Sequence, residues 1–410
     1  MTVSLNDIQA ARRTLRDVII HTPILPAERL TADLGVSVYF KAECTQRSGS
    51  FKIRGAYNKI SRLEPHERAH GVIAHSAGNH AQGVALAARL LDTPATIVMP
   101  ERAPLTKVAA TRRLGAEVIL HGATFDDAGA YAREVQGERG LTYVHAFNDE
   151  RVIAGQGTIG LEIVEALSEL TMLIVPIGGG GLISGIALAA KALLPDIRIV
   201  GVQATGCSSI QTSLAQGAPF TAPTAHTIAD GIAVKRPGEL TLPIIRDLVD
   251  AVVTVDDDEI ARGIAHVVQN THLVIEGAGA VGVAALLSGQ IVPQASEKVC
   301  IVLSGGNIDG NLLARVIEQV LVRQGRYMLL RTTVDDRPGN LAPLIDQVAR
   351  VGANVIDIFH RRAVWLVPVD RVGIEMVLEV RDEEHGQAVL HHLTEAGYKV
   401  ERELPELWPG

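Results

Sequence analysis

Lys52 lies in the stretch Ser48-Gly49-Ser50-Phe51-Lys52-Ile53-Arg54-Gly55-Ala56, a primary amine among small residues just beyond the strand-like run 38–43. An amine held there against a carbonyl cofactor can condense with it as a Schiff base. A solvated lysine in a turn would carry the same local sequence, so the reading needs support from distant segments.

Gly178-Gly179-Gly180-Gly181 follows the apolar Leu173-Ile174-Val175 and precedes a helical run at 182–194. Without side chains, successive backbone N–H groups can approach an anion, and a helix start adds unpaired donors, so this loop suits a phosphate. Ser76-Ala77-Gly78-Asn79-His80 ends the strand-like run 72–74 and opens another helix. Small residues there leave backbone donors for a substrate carboxylate, and the Asn79 amide can donate to a phenolic oxygen on a cofactor ring. Simple N-capping by Ser76 or Asn79 is the plainer alternative, and His80 is either a base or a structural histidine. Ser304-Gly305-Gly306-Asn307 follows the apolar run 299–303. A serine hydroxyl donating to a pyridine nitrogen would leave that nitrogen uncharged, whereas a carboxylate would keep it protonated. A Ser-Gly turn with a locally bonded hydroxyl is the structural alternative.

Each segment sits where an apolar run meets a helix-like stretch. The runs 72–74, 95–99, 117–120, 173–175, 197–202 and 299–303, separated by helical spacers, predict parallel strands covered on both faces, hence an α/β fold. Functional groups then gather at the carboxyl edge of the sheet. After Gly325 the order becomes strand, helix, strand, strand, helix, strand. Strands are expected at 327–334, 354–359, 375–380 and 398–403; Leu341, Leu344, Ile345 and Val348 mark one helix, and Val389, Leu393 and Ala396 the other. This is a ferredoxin-like module. The expected domains are 1–325 and 326–403, with a loose tail at 404–410.

The 410 residues are 47% hydrophobic and 20% charged, which fits a globular protein of more than one core rather than a disordered one. A net charge of -8 without clustered Lys and Arg excludes a nucleic-acid surface. Cys44, Cys207 and Cys300 form neither a disulfide framework nor a metal knuckle, and the N-terminus lacks a secretory pattern, so a cytoplasmic location is expected. The uncharged run 172–190 is long enough to suggest a membrane span, but Pro176 and the glycines break it into a strand, a loop and a helix.

In their order along the chain, the lysine segment, the run 76–83, the loop 178–182 and the turn 304–307 resemble fold-type II pyridoxal-phosphate enzymes, with the tryptophan synthase beta-like fold, and among these the threonine dehydratases. The resemblance covers roughly residues 21–325. It implies pyridoxal 5'-phosphate on Lys52 beside Phe51, with Asn79 at the ring phenolic oxygen and Ser304 at the pyridine nitrogen. Gly178, Gly179, Gly180, Gly181 and Leu182 would bind the phosphate; Ser76, Ala77, Gly78, Asn79 and His80 would face the substrate. The implied reaction is β-elimination of water from L-threonine to give 2-oxobutanoate and ammonia, with L-serine as a side substrate, in isoleucine biosynthesis or threonine catabolism.

Compared with the related serine racemases, Ala77 stands where those enzymes carry a second serine base, which implies elimination without efficient racemisation. Gln203 and Ser209 replace acidic residues that hold a divalent cation there, so no such metal site is expected; a monovalent ion is left open. The C-terminal module resembles an ACT domain through Asp336-Arg337-Pro338-Gly339-Asn340-Leu341 and Gly352-Ala353-Asn354-Val355. That resemblance implies an amino-acid effector; an oligomerisation module without a ligand is the alternative. A symmetric homo-oligomer, dimer or tetramer, is expected.

Gly277-Ala278-Gly279-Ala280-Val281-Gly282 matches a dinucleotide-binding pattern and makes a NAD-dependent dehydrogenase the rival reading. The following strand, 299–303, ends in Ser304 where a ribose-binding acid should stand, which counts against it. Glu276, just before the pattern, either lines the site or is an ordinary capping acid.

Overall fold

The computed structural model describes residues 3–361 and 368–403, so the tail expected at 404–410 lies outside the described residues. The chain divides into one unit spanning Met1–Asp309 and another spanning Gly310–Gly410. The division falls ahead of the boundary expected at Gly325, because the helix Gly310–Arg323 lies against the first strand of the second unit.

In chain order, the strands of the first unit are β1 (Ile24–Pro26), β2 (Ser37–Lys41), β3 (Val72–His75), β4 (Ala95–Met99), β5 (Glu117–Leu120), β6 (Thr142–Tyr143), β7 (Met172–Pro176), β8 (Arg198–Ala204), β9 (Ala251–Val255) and β10 (Lys298–Val302). They form a six-stranded sheet ordered β1-β2-β10-β7-β8-β9 and a four-stranded sheet ordered β5-β4-β3-β6. The β1–β2 pair is antiparallel, and the other strands pair in parallel. Every residue of β4 and of β7 is buried, as a parallel sheet covered by helices on both faces requires. The apolar runs therefore mark real strands. β1, β6 and β9 lie outside the expected strands: β1 and β6 are very short, and β9, although marked by the β-branched run Val252-Val253-Thr254-Val255, is an edge strand of the larger sheet. The uncharged run divides into β7, the glycine loop and the helix Gly181–Leu193. Among the described residues no helix is long and apolar enough to cross a membrane.

The second unit adds β11 (Tyr327–Asp335), β12 (Asn354–Arg361), β13 (Arg371–Glu379) and β14 (Val400–Glu403), with helices Leu341–Arg350 and Glu383–Glu395 after β11 and β13. The antiparallel order β12-β13-β11-β14 is that of a ferredoxin-like module. Leu344, Val348, Val389 and Leu393 are fully buried between helices and sheet. Ile345 is 38% exposed and Ala396 lies past its helix, so these two expected core residues are not in the core.

Candidate active site

The nonapeptide does not continue β2. After a short 3-10 turn at Glu43–Thr45, the chain crosses beside the end of β10 and enters the helix Lys52–Ile60, with Lys52 as its first residue. Phe51 is buried, its N–H donates to the Ser304 carbonyl at 3.2 Å, and its ring shares a core cluster with Leu182. Residues from three of the singled-out segments thus meet. Lys52 Nζ donates to the Ala146 carbonyl at 3.2 Å. Burial lowers its pKa to about 8, and Glu276 only partly offsets that, so about a tenth of the amine is neutral at pH 7 and about half at pH 8.

Close helix packing explains the small residues around it. A Cβ at Gly83, on the helix Asn79–Leu90, would come within 3.0 Å of Lys52 Cβ. At Gly55 a Cβ would lie 2.5 Å from Gln156 Nε2, and that glutamine's Oε1 accepts from the Gly55 N–H at 3.1 Å.

Beneath the lysine lies an ionic cage. Arg54 Nε and Nη2 donate to the two Glu43 oxygens at 2.9 and 2.8 Å. Its Nη1 and Nη2 also donate to Glu162 at 2.6 and 2.9 Å, and Nη1 to Thr158 Oγ1 at 3.0 Å. Lys41 Nζ completes the cage with Glu162 at 2.6 Å and the Thr22 carbonyl at 2.7 Å. Two cations face two carboxylates, and all four side chains are buried. Burial opposes ionisation, yet Arg54 and Lys41 hold the Glu162 carboxyl below its usual range. The cage ties β2, the Lys52–Ile60 helix and the helix Glu150–Ala166 together. The sequence signal for this cage is the pair of charges inside the otherwise apolar run Val38-Tyr39-Phe40-Lys41-Ala42-Glu43; nothing local marks Glu162 or Thr158 as their partners.

Asn79 opens its helix and is buried. Its Nδ2 donates to Glu276 Oε1 at 2.5 Å, and its Oδ1 accepts from Asn307 Nδ2 at 2.6 Å. Glu276 therefore lines the site. Burial, reinforced by Asp230, raises its pKa to about 7. The neighbouring glycine pattern is inside a helix, Gly277–Leu287, with Glu276 at its N-cap position. A Cβ at Gly279 would lie 2.8 Å from the Gly305 carbonyl, so this glycine serves backbone packing beside Ser304 rather than a dinucleotide.

The other expected substrate residues surround the same helix start. Ser76 Oγ accepts from the Gly78 N–H at 3.2 Å, Ala77 packs partly buried on the core of the smaller sheet, and the first helical N–H groups of the Asn79–Leu90 helix are left as donors. The His80 ring is buried, its Nε2 meeting the Val144 carbonyl at 2.8 Å, which requires a proton on that nitrogen. Burial, with Lys52 nearby, lowers its pKa to about 3. Its ring is structural, not a base near neutral pH.

Gly178 to Gly181 form a tight loop after β7. Gly180 has φ +94 and caps the helix that starts at Gly181. A Cβ at Gly179 would fall 2.4 Å from the Phe147 ring, and one at Gly181 2.8 Å from Phe147 Cα. The loop therefore lies against Phe147, the residue after the carbonyl that Lys52 touches. Thr241 Oγ1 fixes it by donating to the Gly179 carbonyl at 2.7 Å. Gln203 and Ser209 bond to backbone instead: Gln203 accepts from Ile210 N–H at 3.0 Å and donates to the Cys207 carbonyl at 3.2 Å, and Ser209 donates to the Val234 carbonyl at 3.5 Å.

These residues fit a phosphorylated carbonyl cofactor. The side-chain-free loop opens a helix of thirteen residues, the amine is half-buried and partly neutral, and the buried Ser50 Oγ has no hydrogen-bond partner among the described residues. Residues 15–305 match the family model of the pyridoxal-phosphate dependent enzymes, and the chain belongs to that family. An L-threonine ammonia-lyase of Thermotoga maritima is 48% identical over 398 residues, covering 97% of this chain and 99% of that protein. Among solved structures, maize serine racemase is 38% identical with a TM-score of 0.74, over 79% of this chain and all of that one. A processed threonine deaminase from Solanum lycopersicum is 42% identical with a TM-score of 0.73, over 77% of this chain and 86% of its own.

Proposed function

We propose that this protein is a cytoplasmic threonine ammonia-lyase that converts L-threonine to 2-oxobutanoate and ammonia, with L-serine as a weaker substrate. The observation that carries the reading is the half-buried, partly neutral Lys52 amine, packed against the Asn79–Leu90 helix at Gly83 and donating to the Ala146 carbonyl next to the Phe147 that the glycine loop touches. Pyridoxal 5'-phosphate, held by Lys52, Asn79, Gly178 to Leu182 and Ser304, supplies an electron sink for charge developing at the substrate α-carbon. The N–H groups at the start of the Asn79–Leu90 helix bind the substrate carboxylate. The neutral Lys52 amine removes the α-proton, the β-hydroxyl leaves as water, and the released enamine hydrolyses to the keto acid and ammonia. Ala77 offers no proton to the opposite face, and His80 is pinned to Val144, so racemisation is inefficient.

The test is keto-acid release by the purified protein with threonine and serine separately, alongside a chiral assay for D-serine. Lys52→Ala should abolish turnover while the protein stays folded. Borohydride reduction followed by peptide mapping should place the cofactor on Lys52. Undiminished turnover in the variant, or cofactor fixed elsewhere, would overturn the reading.

The second unit is read as an ACT domain that binds a small amino acid, such as isoleucine or valine, and shifts substrate affinity. Its ferredoxin-like order supports this, as do the turns at Gly339 and Gly352, both with left-handed φ, +93 and +77. A chain ending at Asp309 should keep turnover and lose the effector response; an unchanged effector curve would count against a sensor. Light scattering should show a symmetric dimer or tetramer.

A further inference from the structure

We propose that Asn307 and Glu276 act together as positioning residues that fix which way the Asn79 amide faces, so that Asn79 presents an N–H to the phenolic oxygen of the cofactor ring. This rests on the reading of Lys52 and Asn79 as cofactor-binding residues and adds the device that orients one of them.

The orientation follows from one group that can only accept. The Ser48 carbonyl receives a hydrogen bond from Asn307 at 2.8 Å, so the Asn307 atom facing it must be Nδ2. The same Nδ2 lies 2.6 Å from Asn79, and both of its protons are then engaged, so the Asn79 atom facing it must be the oxygen. That leaves Asn79 Nδ2 toward Glu276 Oε1 at 2.5 Å, an acceptor. One N–H of Asn79 goes to Glu276, and the second remains for the ring. A flipped Asn79 would set its oxygen against the carboxylate and its NH2 against the Asn307 NH2. The amide–amide contact would repel at any pH, and the contact with Glu276 would repel whenever that carboxyl is ionised.

The backbone holds the pieces in this register. Gly306 N–H donates to the Gly49 carbonyl at 2.8 Å, and Ser50 bridges Gly305. Gly49 has φ +70, and a Cβ there would lie 2.3 Å from Asn307 Oδ1. The Ser48–Ala56 stretch, the Asn79 helix start and the Ser304–Asn307 turn are thus joined through side-chain amides. Glu276 and Asn79 are both buried, so water competes little for these bonds.

The relay predicts a contrast between two near-isosteric substitutions. Glu276→Gln keeps an acceptor oxygen but can also turn its own NH2 toward Asn79, so it should loosen the lock and weaken pyridoxal 5'-phosphate binding by the apo-protein only about three- to fivefold. Asn307→Asp keeps the shape but places an acceptor against the Ser48 carbonyl and the Asn79 oxygen. It should turn the Asn79 amide and weaken binding roughly ten- to a hundredfold, with a displaced absorbance band of the bound cofactor. Circular dichroism would establish that each variant folds. If Asn307→Asp does not, Asn307→Ala, which removes the anchor without adding charge, should show the same band displacement with a smaller loss. A role in packing alone would make both isosteres equally benign, and matching affinities and spectra would overturn the relay. Wild-type protein that binds pyridoxal 5'-phosphate at Lys52 while the Asn307 variants behave normally would sink only this inference; wild-type protein that binds none would sink both.

Discussion

Glu162 and Glu276 are both buried carboxylates of the first unit, yet burial meets different company at each. Glu162 faces Arg54 and Lys41, and its pKa stays below the ordinary value. Glu276 faces an amide, with Asp230 near, and is raised to about 7. The first is locked in one charge state inside a neutral cage; the second can change state near neutral pH. The difference separates a group that holds the Lys52 helix in place from one that bonds a site residue, Asn79, and it shows that burial alone does not mark a functional acid.

The largest expected effect that would test this contrast is on stability. Glu162→Ala leaves Lys41 without its carboxylate and Arg54 with only Glu43, and should cost about 3–5 kcal/mol in urea unfolding. An equal loss from Glu276→Ala would erase the distinction.

Next comes pH. The Glu276 carboxyl is raised from 4.5 to about 7, so folded protein holds a proton that unfolded protein has released across that window. Its contribution is present below pH 4.5 and is lost as pH climbs toward 7. Glu276→Gln should therefore gain on wild type by about 3 kcal/mol at most between pH 5 and pH 8 in the apo-protein. A flat difference would show that Glu276 is as fixed as Glu162.

A smaller effect belongs to Lys52, whose lowered pKa places its loss of charge near pH 8. The rate of cofactor uptake by apo-protein should rise about tenfold per pH unit below that point and level above it, because only the neutral amine attacks a carbonyl. Stopped-flow absorbance would follow it. The smallest effect is at the surface. Glu169, paired with Lys298 but 77% exposed at its side chain, should be replaceable by alanine with no measurable change in the unfolding midpoint.

The parallel strands and the segments around Lys52, Asn79, Gly178 and Ser304 were legible because each depends on local pattern: an apolar run ending in small residues at a sheet's carboxyl edge. The partners of those residues were not. Glu276 meets Asn79 across 197 positions, and Glu162 meets Arg54 across 108. Nothing in a single sequence ties such pairs together, since their contact is made by the packing of helices. The glycine pattern at 277–282 misleads for the same reason: its local spacing is right, but the helix around it uses those glycines for close packing, Gly277 on Ile228 and Ala229, Gly279 on the Gly305 backbone and Gly282 on Ile301. Likewise, Ile345 follows the helical period of the buried Leu344 and Val348 but lies at the margin of the covered stripe.

The helix Gly310–Arg323 determines how the protein can be dissected. Val316 and Val320 on it are 3% and 5% exposed, and the strand it lies against is Tyr327–Asp335. A fragment cut after Gly325 would keep this fourteen-residue helix but discard the strand it lies against, leaving an unpartnered flap that invites aggregation. Misbehaviour of such a fragment would then be mistaken for lost regulation, whereas a cut at Asp309 removes the flap together with its mate.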